Sequence, residues 1–173
     1  EVLFVPTAST SLDSFTWTRH HLVLNVLDDV KNRLSVLTPG AQGWTRSAFV
    51  GAPTFGTLGV RAVDDDESDA VWLLATDYLT PSTLALAELG APPEVLKTMP
   101  TFFDASKDVI EQHFAISKDG TKVPYFLVRP KDLALDGSAP TLLYGYGGFE
   151  VSLTPSYSGI VGKGWLEHAG NRG

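Results

Sequence analysis

The stretch HHLVLNVLDDVKNRLSVLTPG, residues 20–40, holds two apolar runs parted by Asp28, Asp29, Lys31 and Asn32, the pattern of two strands joined by a polar turn. A second stretch, DAVWLLATDYLTPSTLALAELG at residues 69–90, repeats it around Thr80-Pro81-Ser82. Laid over one another with a shift of about 50 positions, the two match without a gap, placing Leu24 on Leu74, Leu34 on Leu84, Val36 on Leu86 and Gly40 on Gly90. Each is preceded by a further alternating piece (SFTWT and LGVRAV) and followed by another (WTRSAF and EVLKTM). Four short antiparallel strands per unit at this period predict β-propeller blades. Two blades cannot close a ring, which takes about four to eight, so residues 1–100 are expected to be the terminal blades of a larger propeller, with bare edges where blades are missing.

Bulk composition narrows the rest. With 173 residues, 43% of them hydrophobic, the chain has enough apolar material for one ordinary domain or two small ones. A formal net charge of −7, with the 13 basic residues scattered, excludes a surface built to neutralise phosphates, so neither nucleic acid nor an anionic membrane is an expected partner. There is no cysteine, hence no disulfide, no thiolate nucleophile and no cysteine metal site. That fits a reducing compartment, and a cytoplasmic location is the expectation, with the bacterial periplasm as the alternative. No run of about 18 apolar residues is present to span a bilayer. The opening EVLFVPTAST carries no Met, basic segment or cleavage signal and reads as the interior of a longer chain.

Composition shifts over APPEVLKTMPTFFDASKD, residues 91–108, where three prolines are followed by Asp104, Ser106 and Asp108. Residues 101–108 are read as a linker out of the repeats. Beyond it, VIEQHFAIS and TKVPYFLVRP flank Lys118-Asp119-Gly120, a hairpin signal. Then comes PTLLYGYGGFEVSLTPSYS, residues 140–158. Its TLLYGYG is apolar on consecutive positions, as expected of a strand buried on both faces. Gly145, Gly147 and Gly148 behind such a strand admit two readings. In one, the loop brings a tyrosine hydroxyl or backbone N–H to a developing oxyanion. In the other, glycine supplies positive φ for a turn while Tyr144 and Tyr146 pack. Neither GxGxxG nor GxxxxGK[ST] is present, so the loop is not a phosphate cradle.

The remaining constellations point to little chemistry. The run DDDESD, Asp64 to Asp69, has no register with the glycine and glutamate of an EF-hand, and is expected to be a solvated loop. His20 and His21 are adjacent, so on a strand they point to opposite faces; with His113 and His168 far off in sequence, no metal site is expected. Trp17, Trp44, Trp72 and Trp165 are expected to pack between sheets. Ser152, Ser156 and Ser158 lack the flanking glycines of a nucleophile elbow.

LLYGYGGFEVSLTPSYS, with SKDGTKVPYFLVRPKDLALDG before it and WLEHAG after it, resembles the start of the catalytic domain in the prolyl oligopeptidase family of serine peptidases. Upstream, VLDDVKNRLSVLTPG and DYLTPSTLALAEL resemble the last blades of that family's propeller. The resemblance covers nearly the whole chain. It implies propeller blades over residues 1–100, a linker over 101–108 and the opening strands of an α/β-hydrolase domain over 109–173. It also implies a protein that cleaves short peptides after proline by acyl transfer, with no cofactor and with proline-containing oligopeptides and the remainder of the same polypeptide as partners. The second tyrosine of the family's motif donates to the oxyanion and its phenylalanine lines the proline pocket; Tyr146 and Phe149 match them. Relatives that cleave after basic residues tend to have Gly-Ser-Tyr where this chain has Gly147-Gly148-Phe149, which favours the prolyl branch. The family's nucleophile, acid and histidine lie downstream, so this stretch is expected to lack the triad and to be inactive alone. Asn171, Arg172 and Gly173 follow Gly170 where the family has an apolar strand, and residues are expected to be missing there. The alternative function is a non-enzymatic propeller module that binds peptides or proteins.

Overall fold

A computed structural model of the chain describes residues 1–169; the expectation about residues 170–173 lies outside them. Strands β1 (Thr10–Trp17), β2 (Leu22–Asp28), β3 (Lys31–Gly40) and β4 (Gly43–Ala48) form one antiparallel sheet in chain order. A second sheet repeats the meander with β5 (Thr57–Ala62), β6 (Ala70–Thr76), β7 (Thr83–Glu88) and β8 (Glu94–Thr98). These are the two expected four-stranded units. A separate two-stranded hairpin joins β9 (Asp108–Ile116) to β10 (Lys122–Pro130), turning at Gly120 with φ +85°. A short helical stretch begins at Gly159, capped by Ser158, whose Oγ accepts the Val161 N–H at 3.2 Å.

The two sheets stack face to face. Val23, Leu34, Val36 and Phe49 of the first meet Leu58, Val71, Leu73, Ala85 and Ala87 of the second in one buried cluster. Leu22, Leu24, Val26 and Leu37 fill the opposite face of the first sheet, against Leu3, Phe4 and Trp44. The second sheet's outer face stays bare, with Trp72 37% and Leu74 50% exposed.

This packing corrects the repeat's register. Leu34 and Leu84 are equivalent, yet Leu34 pairs with Asn25 while Leu84 pairs with Leu74. Leu74 therefore corresponds to Asn25, and the gapless match that set it on Leu24 slips by one residue in β2 and β6. Successive residues of a strand face opposite ways, so one residue of slip exchanges the two faces. The slip is hidden in the sequence because LVLNVL and AVWLLA are apolar on both faces.

Two buried asparagines knit the sheets together. Asn32 Nδ2 donates to Asn25 Oδ1 at 2.8 Å, Asn25 Nδ2 donates to the Leu58 carbonyl at 2.8 Å, and Asn32 Oδ1 accepts the Leu58 N–H at 3.0 Å. The first sheet thus supplies β5 with side-chain partners where no strand neighbours it. Buried polar groups survive folding when satisfied in this way.

The strand expected over TLLYGYG is not formed: residues 141–147 carry no ladder, and Leu143 and Tyr144 are exposed. A strand buried on both faces needs a hydrogen-bonded neighbour on each side. The only strands of this half among the described residues, β9 and β10, pair with each other.

Candidate functional site

Within residues 140–158 the backbone makes one tight turn. The Val151 N–H donates to the Gly148 carbonyl at 3.2 Å, and the two residues between, Phe149 and Glu150, have φ of +56° and +55°. Positive φ at both central positions is the mirror-image turn, normally taken by Asn and Gly. The glycines of the motif do not supply the left-handed backbone that one reading assigned them; none of Gly145, Gly147 and Gly148 has positive φ. Gly148 serves close approach instead. A Cβ there would lie 2.8 Å from the Tyr146 hydroxyl oxygen, so a larger residue would push the half-exposed phenol off the turn.

Tyr146 is half exposed and Phe149 is 93% exposed. Neither lines either of two clefts found among the described residues. One, of about 610 Å³, lies between the second sheet, the linker and the helical stretch, with Met99, Phe102, Tyr157 and Ile160 in its walls. Another, of about 410 Å³, lies beside β9, against Phe55, Asp77 and Val109. Tyr146 and Phe149 are thus presented outward on a segment with no strand neighbour.

A joint that the sequence reading missed lies just downstream. The Tyr157 hydroxyl accepts the Phe102 N–H at 2.7 Å, and its ring stacks on buried Phe103 with centroids 5.2 Å apart and planes at 11°. Gly159 and Gly162 make room for the two phenylalanines; a Cβ at Gly162 would fall 2.0 Å from the Phe103 ring. The same segment reaches the second sheet, where Thr57 Oγ1 donates to the Pro155 carbonyl at 2.7 Å and the Tyr157 N–H donates to Thr76 Oγ1 at 3.4 Å. Phe102-Phe103 and the Gly-x-x-Gly of residues 159–162 were the available signal, but their meeting is tertiary.

Several charged groups are engaged in structure. Asp69 accepts from Thr18 Oγ1 at 2.8 Å, the His20 N–H at 2.8 Å and His20 Nδ1 at 2.7 Å, tying the loop before β2 to the loop before β6. Burial pushes the Asp69 carboxyl up, but the hydrogen bonds from His20 and Thr18 more than offset it and hold it at about 2. Glu111 takes a two-pronged contact from Arg129, at 2.5 and 3.2 Å, and a third from His113 at 3.2 Å. Hydrogen bonds from Arg129 and then His113 lower its pKa. His20 and His21 make separate contacts, His21 Nδ1 lying 2.7 Å from Thr38 Oγ1. Among the described residues no cluster of His, Asp and Glu is suited to hold a metal.

No family model matches the chain. It is 42% identical over 170 residues to an uncharacterized peptidase, y4nA, from Sinorhizobium fredii, covering 98% of this chain and 23% of that protein. Over 119 residues it is 36% identical to a prolyl endopeptidase from Elizabethkingia miricola, covering 68% of this chain and 17% of the relative. Among solved structures it superimposes on a post-proline cleaving enzyme from Rickettsia typhi with a TM-score of 0.75 and 29% identity, over 96% of this chain and 24% of the other. The chain therefore spans about a quarter of the length of the first of these relatives. The antiparallel sheets expected from the repeat are those of this structure.

Proposed function

The chain belongs to the prolyl oligopeptidase family of peptidases, and from that premise we propose that the whole protein is a serine peptidase cleaving short peptides after proline. The motif Tyr144-Gly145-Tyr146-Gly147-Gly148-Phe149 carries the reading. Its phenol lies close over Gly148, and its phenylalanine projects bare from a left-handed turn. In the proposed reaction a serine oxygen attacks the carbonyl carbon of the proline residue, and a histidine held by a carboxylate takes the serine's proton. The carbonyl oxygen becomes an oxyanion, to which Tyr146 donates its hydroxyl hydrogen bond. Collapse breaks the C–N bond, the histidine proton passes to the leaving amine, and water then releases the acyl group. Phe149 offers a flat aromatic face to the substrate's pyrrolidine ring. No cofactor enters these steps.

The triad does not come from this stretch in the proposed arrangement. Ser152 and Ser156 lack elbow glycines, and Ser158 is occupied as a helix cap. Residues 1–100 are assigned to terminal blades, 101–108 to the linker and 109–173 to the opening of the catalytic domain. The test is paired. The complete protein should release a chromogenic amine from a Gly-Pro amide and be labelled by a fluorophosphonate, whereas the 173-residue chain should do neither. Labelling of any serine in the shorter chain would contradict the assignment.

A further inference from the structure

We propose that the turn at Asp29-Val30 is a latch between the first sheet and the β9–β10 hairpin: Gln112 reaches across from β9 and holds the turn in a left-handed form that Val30 would not keep unaided. The inference is independent of the role given to Tyr146.

Asp29 and Val30 join β2 to β3, with φ of +45° and +65°. Like the turn at Phe149-Glu150, this is the mirror-image form, whose twist suits a two-residue hairpin but whose central positions favour Asn and Gly. Aspartate tolerates the left-handed region. A β-branched residue does not, because its crowded Cβ is pressed toward the neighbouring carbonyl. The local sequence therefore works against the turn at Val30, and a conformation of this kind persists when its surroundings over-determine it.

Those surroundings include one directed contact from far along the chain. Gln112 Nε2 donates to the Asp29 carbonyl at 2.6 Å, from 83 residues away. That carbonyl belongs to the peptide between Asp29 and Val30, the central peptide of the turn. The direction in which the central peptide points helps to distinguish one turn type from another. A donor aimed at it selects the form of the turn. On the other side, the Asp29 N–H donates to the Ser9 carbonyl at 3.0 Å, just ahead of β1.

The hairpin is placed to make this contact. Gln112 stands directly opposite Phe126 in the β9–β10 ladder, and residues opposed across an antiparallel ladder put their side chains on one face. Phe126 meets Tyr78, between β6 and β7 of the second sheet, with ring centroids 5.6 Å apart. Burial there raises the pKa of the Tyr78 phenol. Ile110, two residues before Gln112 and so on the same face, lines the cleft beside Phe55 and Asp77. One rung of the hairpin thus touches the β2–β3 turn of one sheet and the β6–β7 connection of the other.

Hydrogen exchange in the complete protein, read on a peptide covering residues 28–31, tests the latch. Gln112→Ala should speed exchange of the Asp29 amide about tenfold, the scale of one hydrogen bond, with the circular dichroism spectrum unchanged. Val30→Gly should exchange no faster than wild type, since glycine takes the left-handed form without help. Adding Gln112→Ala to Val30→Gly should then change the rate by less than about threefold. The Thr80 amide of the second sheet, held by Asp77 Oδ1 at 2.7 Å, should exchange alike in all four proteins. Unchanged exchange at residues 28–31 in Gln112→Ala would overturn the proposal. So would equal acceleration in both backgrounds, which would leave Gln112 no hold on the form of the turn. Acceleration at Thr80 as well would show the hairpin leaving both sheets together, and would overturn a latch specific to the first.

Discussion

The two four-stranded sheets and the stretch of residues 141–151 are both rich in apolar residues, yet the sheets are packed and the stretch is exposed. In the sheets every strand finds its partner within a few tens of residues, and the remaining unpaired groups are met by Asn25 and Asn32. In the loop, Leu143 and Phe149 are each 93% exposed despite their character. Hydrophobicity alone does not bury a segment. A strand must also satisfy its backbone, and antiparallel meanders do so locally whereas a strand flanked on both sides depends on distant partners.

The strongest way to break this contrast is to leave the packed region's polar groups unmet. Asn32→Ala strips the Leu58 N–H and the Asn25 carbonyl oxygen of their buried partner, and should cost about 2 to 3 kcal/mol in urea unfolding. A loss under about 0.5 kcal/mol would mean that the sheets are joined by apolar contact alone.

A smaller effect is expected from acid. The Asp69 carboxyl, held at about 2 when folded, would titrate near 3.9 in an unfolded chain, so the folded state favours its ionised form. Its contribution is complete above about pH 4, declines as protons bind the unfolded form more readily, and is gone below about pH 2. Asp69→Asn should remove that part of the pH dependence and leave the profile above pH 4 parallel to the wild type. A wild-type slope retained between pH 4 and 2 would assign the titration to another group.

Least of all should come from the loop. Leu143→Ser changes an apolar side chain that touches almost nothing, and unfolding of the 173-residue chain should shift by less than about 0.5 kcal/mol. A larger loss would show that the loop is packed after all.

What the sequence disclosed follows the same division. The repeat revealed eight strands and their grouping, because turn residues and alternating runs are local signals. It misplaced β2 against β6 by one residue, since Leu24 and Leu74 sit in runs apolar on both faces and periodicity has nothing to register on. It read TLLYGYG as a formed strand because composition records a preference for burial and carries no information about partners. One of the two readings of the glycines made them sources of positive φ, but that conformation falls on Phe149 and Glu150, while Gly148 lies against the Tyr146 ring. Tyr157 was passed over because its partners, Phe102 and Phe103, lie more than fifty residues away.

The central claim is that the hydroxyl of Tyr146 serves the chemical step. The direct measurement is steady-state kinetics on a Gly-Pro amide with the complete protein carrying Tyr146→Phe or, in parallel, Tyr144→Phe, both confirmed as folded by circular dichroism. The account predicts that Tyr146→Phe lowers kcat by about 10² to 10³, with KM moving far less, while Tyr144→Phe stays close to wild type. Near-normal turnover in Tyr146→Phe beside a crippled Tyr144→Phe would contradict it and move the oxyanion donor to the other tyrosine.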